Sequence, residues 1–201
     1  MKIIRSLYNC VGKIQAKLML GFWNIRDLIT PPQESAILFV AHPDDDVLFF
    51  HKYIQTKKPY VVCLTSAGLL KRIIPFYRAM RHYGVRYRAY DMNSRAVDEA
   101  ELVKRRVKAV LKKGKFKECA THNSEGEYGH VMHKCIHDSV CSVWQNRDLY
   151  MPVQSSDIEN YPLSKDDCLE KDLILRTFYK GEYPTLETFE KWIRCEALNK
   201  G

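Results

Sequence analysis

Two short segments hold the residues best suited to chemistry. In the first, His42 and three consecutive aspartates, Asp44 to Asp46, follow the apolar run Ala36 to Ala41. Three adjacent carboxylates repel one another unless a positive charge lies among them, so the pattern predicts a divalent cation. The simpler alternative is a cluster that caps a helix N-terminus, where acidic side chains are favoured by the helix dipole.

The second segment supplies histidines at helical spacing: His130, His133 and His137. On a helix, His133 shares a face with each of the other two, so either pair can point into one cleft. A catalytic zinc site takes three protein ligands from His, Asp, Glu or Cys and keeps a further position open for water. His42 and one aspartate therefore need one more ligand, and spacing alone leaves open which aspartate and which histidine serve.

The elements that position these residues follow an α/β pattern. From residue 35 onward, β-rich runs alternate with helical patterns, which predicts a single Rossmann-like three-layer domain with a mainly parallel sheet. The predicted strands are 36–41, 59–65, 85–90, 116–122 and 148–153. Ligands in such sheets bind beyond the carboxyl ends of the strands, which is where His42 falls.

The helices are predicted from periodicity and from their breakers. We expect helices from about residue 46, over 95–113, across the histidine cluster, and over 165–179 and 185–198. A further helix ends at Gly84 and starts near Pro75, with 69–74 as a loop.

Composition restricts the class of protein. The chain of 201 residues fits a basic amphipathic segment, 1–34, followed by one α/β domain, 35–201. The net charge of +8 favours an anionic partner. No reading helix and no strand with interleaved basic and aromatic residues is apparent, so we expect no nucleic-acid binding. Seven cysteines without a CxxC pair favour reduced thiols and a cytoplasmic location.

The first 34 residues allow two interpretations. The segment can lie in a membrane interface with Leu7, Leu18, Leu20, Phe22 and Trp23 inserted, as a peripheral contact. Lysines and arginines would then meet anionic headgroups; they are Lys2, Arg5, Lys13 and Lys17. The alternative, which amphipathic helices adopt more often, is a helix packed on the domain's own surface.

The two chemical segments also resemble a known family. The run AHPDDD, Ala41 to Asp46, resembles the AHPDD(E/D) motif of the PIG-L/LmbE-like family of zinc-dependent N-acetylglucosaminyl deacetylases. GHVMH, Gly129 to His133, resembles its GHxxH motif, and the preceding text from Thr121 is typical of bacterial members. The order and separation of the motifs match, and a weaker resemblance extends from Ser35 to about Trp192.

This resemblance implies a role for each matching residue. His42, Asp45 and His133 would be the zinc ligands, Asp44 the general base, and a protonated His130 the group that stabilises the oxyanion. Iron(II) suits the same ligand types.

Three further assignments concern the surroundings of the ligands. Asp46 stands where the family more often has glutamate and would support the ligands from behind. Arg72 follows the second strand, where the resemblance implies a substrate contact. His137 is predicted to be a surface or supporting histidine, and His51, His82 and His122 to be structural.

The substrate implied by the resemblance is an N-acetylated amino sugar of the N-acetylglucosamine type in a glycan or glycoconjugate, either lipid-linked or soluble. Two alternatives stay open: a hydrolase of a non-sugar N-acyl amine, and a catalytically silent carbohydrate-binding module. Intact Asp44 and His130 argue against the silent module.

Overall fold

A six-stranded sheet runs through the molecule, and helices cover both of its faces. The computed structural model describes residues 2–92, 100–182 and 187–201, with side chains described from Val11 onward except at Glu187. The strands are β1 (Ala36–Val40), β2 (Tyr60–Cys63), β3 (Tyr87–Ala89), β4 (Glu118–Ala120), β5 (Leu149–Pro152) and β6 (Leu198–Lys200).

The strand order confirms the predicted fold class. The order is β3-β2-β1-β4-β5-β6, and all pairs are parallel except β5 with β6. The chain runs outward from β1 in one direction to β3 and then continues on the other side at β4. Such a reversal leaves a crevice between the carboxyl ends of β1 and β4, where ligands bind in sheets of this kind.

The helices form two outer layers. They are α1 (Lys2–Ile29), α2 (Asp45–Lys57), α3 (Leu70–Tyr83), α4 (Ala100–Leu111), the short turn α5 (Gly126–Gly129), α6 (Val131–Cys141), α7 (Lys165–Phe178) and α8 (Glu190–Arg194). The described residues also form two 3₁₀ turns, Ile158–Asn160 and Glu187–Phe189. The layer of α4 and α6 lies on one face of the sheet, and α1, α2, α3, α7 and α8 lie on the other.

Strand β1 shows why its sequence is apolar throughout. Ile37 and Phe39 contact the layer of α4 and α6, whereas Leu38 and Val40 contact the opposite layer. All four side chains are fully buried, as expected for a central strand of a covered parallel sheet.

Two predicted helix boundaries are wrong. Helix α3 begins at Leu70, so Pro75 lies inside it and 70–74 are not a loop. Proline there removes one backbone hydrogen bond, while Ile73 and Phe76 bury their side chains in the core and hold the helix through it. The helix predicted over 185–198 ends at Arg194, because Leu198–Lys200 pair with the free edge of β5 as strand β6. Its predicted first residues, 185 and 186, lie outside the described residues.

Helix α4 is described from Ala100, and its predicted start at Arg95 lies outside the described residues. Among the helices that the structure describes, none has both the length and the apolar character needed to cross a membrane.

Helix α1 is joined to the sheet by a buried ionic cluster. Asp27, 2% exposed, accepts hydrogen bonds from Arg86 (2.9 Å), Arg88 (3.1 Å) and the Tyr60 hydroxyl. Burial opposes ionisation of Asp27, but these donors together with Arg26 hold its pKa below the usual range. The carboxylate therefore stays charged and balances Arg88, which is itself 3% exposed.

Replacing Asp27 tests this connection. Asp27→Asn leaves the Arg88 guanidinium buried without its counter-charge, so the free energy of unfolding in urea should fall by about 3–5 kcal/mol. As a matched control, Asp148→Asn breaks the exposed pair with Lys200 and should cost less than about 1 kcal/mol. Equal small losses in both variants would contradict the structural role of the cluster.

Candidate metal centre

The turn between β1 and α2 presents the aspartates to the crevice. Asp44 has φ 119° and ψ −35°, a backbone conformation that side-chain-bearing residues rarely adopt and that costs on the order of 1–3 kcal/mol. Its amide donates to Asp46 Oδ1 (2.9 Å), and its carbonyl accepts from the amides of Val47 and Leu48. The strained turn is therefore fixed at both ends, and Asp45 points inward.

Three predicted ligands converge on one point. Asp45 Oδ2 lies 3.2 Å from His42 Nδ1 and 3.3 Å from His133 Nε2, and the two histidine nitrogens lie 3.3 Å apart. His42, Asp45 and His133 are all buried. Ligand atoms bound about 2.0–2.1 Å from a tetrahedral ion lie roughly 3.3 Å from one another, so this triangle has the dimensions of a metal site.

The charges of the site also favour a bound cation. Burial alone would lower the pKa of His133, but Asp45 and the buried Glu127 raise it to about 10. Burial alone would raise the pKa of Asp45, but His133 and His42 hold it well below its usual range. The carboxylates thus favour positive charge at this point. Two groups that share His133 have ligand atoms close enough together to hold a metal ion in place of the proton: His133 with His42 and His130, and His133 with Asp45 and His122.

Glu127 orients the His133 ring. Its Oε2 accepts from His133 Nδ1 (2.5 Å), so the hydrogen of the neutral ring sits on Nδ1 and the lone pair of Nε2 faces Asp45 and His42. A carboxylate behind a histidine ligand commonly fixes the ring in this manner. Burial alone would raise the pKa of Glu127, but His122 and His133 lower it to about 2, which keeps it charged.

The loop around α5 holds Glu127 in place. Glu127 has φ 56° and is flanked by Gly126 at φ 67°, in a turn where positive φ values favour glycine. Asn123 Oδ1 accepts from the amides of Glu125 and Glu127, and its Nδ2 donates to the carbonyls of Pro152 and Val153. The loop is thereby tied to the end of β5.

His122, predicted to be structural, lies at the centre of the site. Its ring stacks on His133 at 3.9 Å, and its Nε2 is 3.6 Å from Asp45 Oδ2. That nitrogen accepts the amide hydrogen of Ala41 (2.9 Å), and Nδ1 donates to Glu127 (2.9 Å). Both ring nitrogens are therefore engaged, and His122 packs beside the ligands without a lone pair to offer.

His130 lies next to the triangle with one nitrogen engaged. Its ring centroid is 4.6 Å from those of His42 and His133, and it caps α6 by accepting the Met132 amide hydrogen at Nδ1. Burial, reinforced by His133 and His42, lowers its pKa to about 4. This low pKa favours a neutral ring with its hydrogen on Nε2, and the protonated His130 that the resemblance implies stays a prediction.

Asp46 does not touch the triangle. It is fully buried and accepts hydrogen bonds from the Tyr179 hydroxyl (2.8 Å) and from the Asp44 amide. Burial raises its pKa to about 7 against the effect of those donors. Its contribution is to fix the backbone of Asp44.

Asp44 itself is half-buried at the crevice. Burial and the neighbouring Asp45 raise its pKa well above the usual range, and the charge of Arg72 opposes that rise. Arg72 lies in the first turn of α3, and its Nε is a buried donor without a hydrogen-bond partner among the described residues. The structure thus brings Arg72 near Asp44.

The remaining histidines lie away from the triangle. His137 Nδ1 donates to the His122 carbonyl (2.9 Å), a supporting contact. His51 is buried against the Tyr83 hydroxyl, and His82 lies 3.9 Å from Glu170 on the surface.

Comparison with known proteins gives little further information. No model of a known protein family matches the chain. Over 120 aligned residues the chain is 25% identical to an uncharacterised protein of Acanthamoeba polyphaga mimivirus. The match takes in 50% of this chain and 53% of the viral protein, so the chain spans about half the length of that relative.

Removing the charge behind His133 tests the metal centre. Glu127→Gln brings an amide group to the two imidazole N–H donors and removes the negative charge, so affinity for Zn²⁺ should fall by about 10- to 100-fold. Competition with a chromophoric chelator measures this change. Glu125→Gln, the same substitution on an exposed side chain two residues earlier, should leave the affinity unchanged. Equal affinities in both variants would rule out the orienting role.

Proposed function

We propose that the protein is a zinc-dependent N-deacetylase that hydrolyses the acetamide of an N-acetylated amino sugar. The observation that carries the proposal is the triangle of His42, Asp45 and His133, whose ligand atoms lie 3.2–3.3 Å from one another. Asp44 and His130 lie next to this triangle and are not part of it. Two histidines and one carboxylate form a ligand set typical of hydrolytic zinc sites.

Bound zinc supplies Lewis acidity, which makes a water molecule acidic enough to act as a nucleophile near pH 7. The chain must then provide a proton acceptor and a donor to the developing oxyanion. Asp44 and His130 supply these two functions.

Asp44 is the proposed general base. It adjoins Asp45 in sequence, is half-buried at the crevice and lies near the charge of Arg72. Its raised pKa suits the role, because a base works best when its pKa approaches the working pH. Asp44 takes the proton of the attacking water and delivers it to the amine nitrogen as the C–N bond breaks, so that amide and water yield acetate and a free amine.

His130 is the proposed donor to the oxyanion. Its Nδ1 is held by the Met132 amide, so the hydrogen on Nε2 is available to the acetamide oxygen as charge develops there. The donor is neutral and positioned before the reaction begins. Loss of one such donor commonly costs on the order of 10²- to 10³-fold in rate.

The proposed substrate class is supported by the resemblance of the two motifs to the PIG-L/LmbE-like deacetylases. The side chains around the site suit a substrate ring that carries polar groups. Arg72 places a positive charge near Asp44. The 43%-exposed Tyr128 packs with its ring centroid 4.7 Å from that of Phe189 and 5.8 Å from that of His130. An aromatic surface and a positive charge therefore lie close to the triangle.

The mechanism is tested by removing the base. Asp44→Asn should keep bound zinc and lose about 10²- to 10⁴-fold in kcat for acetate release. Zinc content and acetate are measured together on N-acetylglucosamine conjugates, with Asp157→Asn, an exposed position, as the control. Wild-type turnover by Asp44→Asn would refute the assigned mechanism.

The substrate class is tested with the same assay. Simple acetamides and N-acyl amino acids run in parallel should be poor substrates for the zinc-loaded wild type. Faster release from these compounds than from the amino-sugar conjugates would overturn the proposed class.

A further inference from the structure

Helix α1 carries apolar residues on two opposite faces. The inner face, with Ala16, Leu20 and Trp23, is buried against the domain. Leu20 and Trp23, predicted as candidates for membrane insertion, are therefore core residues, and Leu7 lies outside the described side chains. Leu18 and Phe22 point the other way and are 68% and 64% exposed.

Leu18 and Phe22 belong to a continuous apolar line, here called the outer stripe. Its members are Val11, Ile14, Leu18, Phe22, Ile25 and Ile29, each between 49% and 76% exposed. At 100° per residue they fall within roughly 80° of one another, opposite the inner face, and the stripe is about 27 Å long. Soluble surfaces rarely leave so long an apolar line uncovered, which indicates an interaction surface.

The charge around the outer stripe is one-sided. Lys13 and Lys17 are exposed on α1, whose sequence contains a single acid, Asp27. Asp27 is buried and paired with arginines, so it presents no negative charge to a partner. On α1, positive charge and no exposed acid flank the outer stripe. This combination matches a surface in which an apolar layer lies beneath a layer of anionic groups.

A shallow groove beside the stripe has the same character. It encloses about 500 Å³ between α1 and α3, and its lining includes Leu18, Phe22, Tyr77 and Arg81. The Arg81 guanidinium lies 5.8 Å over the Tyr77 ring. The apolar side chains of the lining suit an acyl chain, and the Arg81 guanidinium suits a phosphate on its headgroup.

We infer that the outer stripe of α1 lies in the interface of a membrane that contains anionic lipid, parallel to its plane. The inner face is packed on the domain, so lipid contacts only the outer side of the helix and the stripe reaches the headgroup–acyl boundary. A second copy of the chain is a poorer occupant, because pairing two stripes brings Lys13 and Lys17 of both copies together without an exposed acid on α1.

The position of α1 relates this surface to the metal centre. A Cβ at Gly12 would lie 3.8 Å from Leu70 Cδ1, in the first turn of α3, which also carries Arg72. One end of the stripe is thus near the opening of the site.

Vesicle binding tests the inference without reference to activity. Full-length protein is sedimented with vesicles of phosphatidylcholine and phosphatidylglycerol in equal parts, and with phosphatidylcholine alone. Wild type should bind the anionic vesicles and bind them less at high salt. Leu18→Ser with Phe22→Ser should lower the partition coefficient by at least about tenfold.

The matched control is Gln15→Ser with Asn24→Ser, two exposed polar positions of the same helix, which should bind as wild type does. All four substitutions are at exposed sites, and unchanged thermal unfolding checks that each variant folds. Acetate release from a soluble conjugate should be unaffected, so loss of vesicle binding is distinguishable from failure of the proposed activity.

Three results would overturn the inference. The first is wild type that stays in the supernatant with anionic vesicles. The second is a stripe variant that binds them as tightly as the control. The third is a wild-type dimer, detected by analytical ultracentrifugation, that the stripe substitutions convert to a monomer with no vesicle binding in either form, and it would assign the stripe to self-association.

Discussion

The hydrogen bond from His133 Nδ1 to the buried Glu127 carboxylate is the interaction on which the site depends. It decides which nitrogen of His133 carries the hydrogen, and so directs the lone pair of Nε2 towards Asp45 and His42. The same carboxylate binds His122, whose other nitrogen holds the Ala41 amide at the end of β1. One buried negative charge thus couples the loop after β4 to the strand that carries His42, so the two halves of the site are fixed relative to each other.

The fold supplies the remaining constraint. Strands β1 and β4 are neighbours at the point where the strand order reverses, so the residues that follow them meet although they are far apart in sequence. The turn at Asp44 is strained, and the buried Asp46 carboxylate, bonded to Tyr179, holds it. A site that can hold a cation, with a half-buried carboxylate and a neutral imidazole donor near it, is suited to hydrolysis of an uncharged amide. This consistency supports the proposed N-deacetylase.

The α/β class, the five parallel strands and the elements carrying the motif residues could be predicted from sequence. Alternating patterns and apolar runs report local structure directly. The roles of His122 and Glu127 could not be predicted, because they depend on a turn with positive φ that brings side chains from β4 and α6 together. The segment around Gly126 was the part of the sequence that could have indicated these two roles.

The sequence also did not show which face of α1 packs on the domain. Leu18, Leu20, Phe22 and Trp23 are all apolar, and only their packing shows which of them face the domain. Strand β6 is short, and it forms because β5 offers an open edge.

In the proposed site, His42, Asp45 and His133 together bind one zinc ion. X-ray absorption at the zinc edge of the zinc-loaded protein identifies the ligands of that ion. We expect only nitrogen and oxygen ligands at about 2.0–2.1 Å, with the outer scattering of two imidazole rings. A sulfur ligand at about 2.3 Å, or a coordination sphere of oxygen without imidazole, would contradict it.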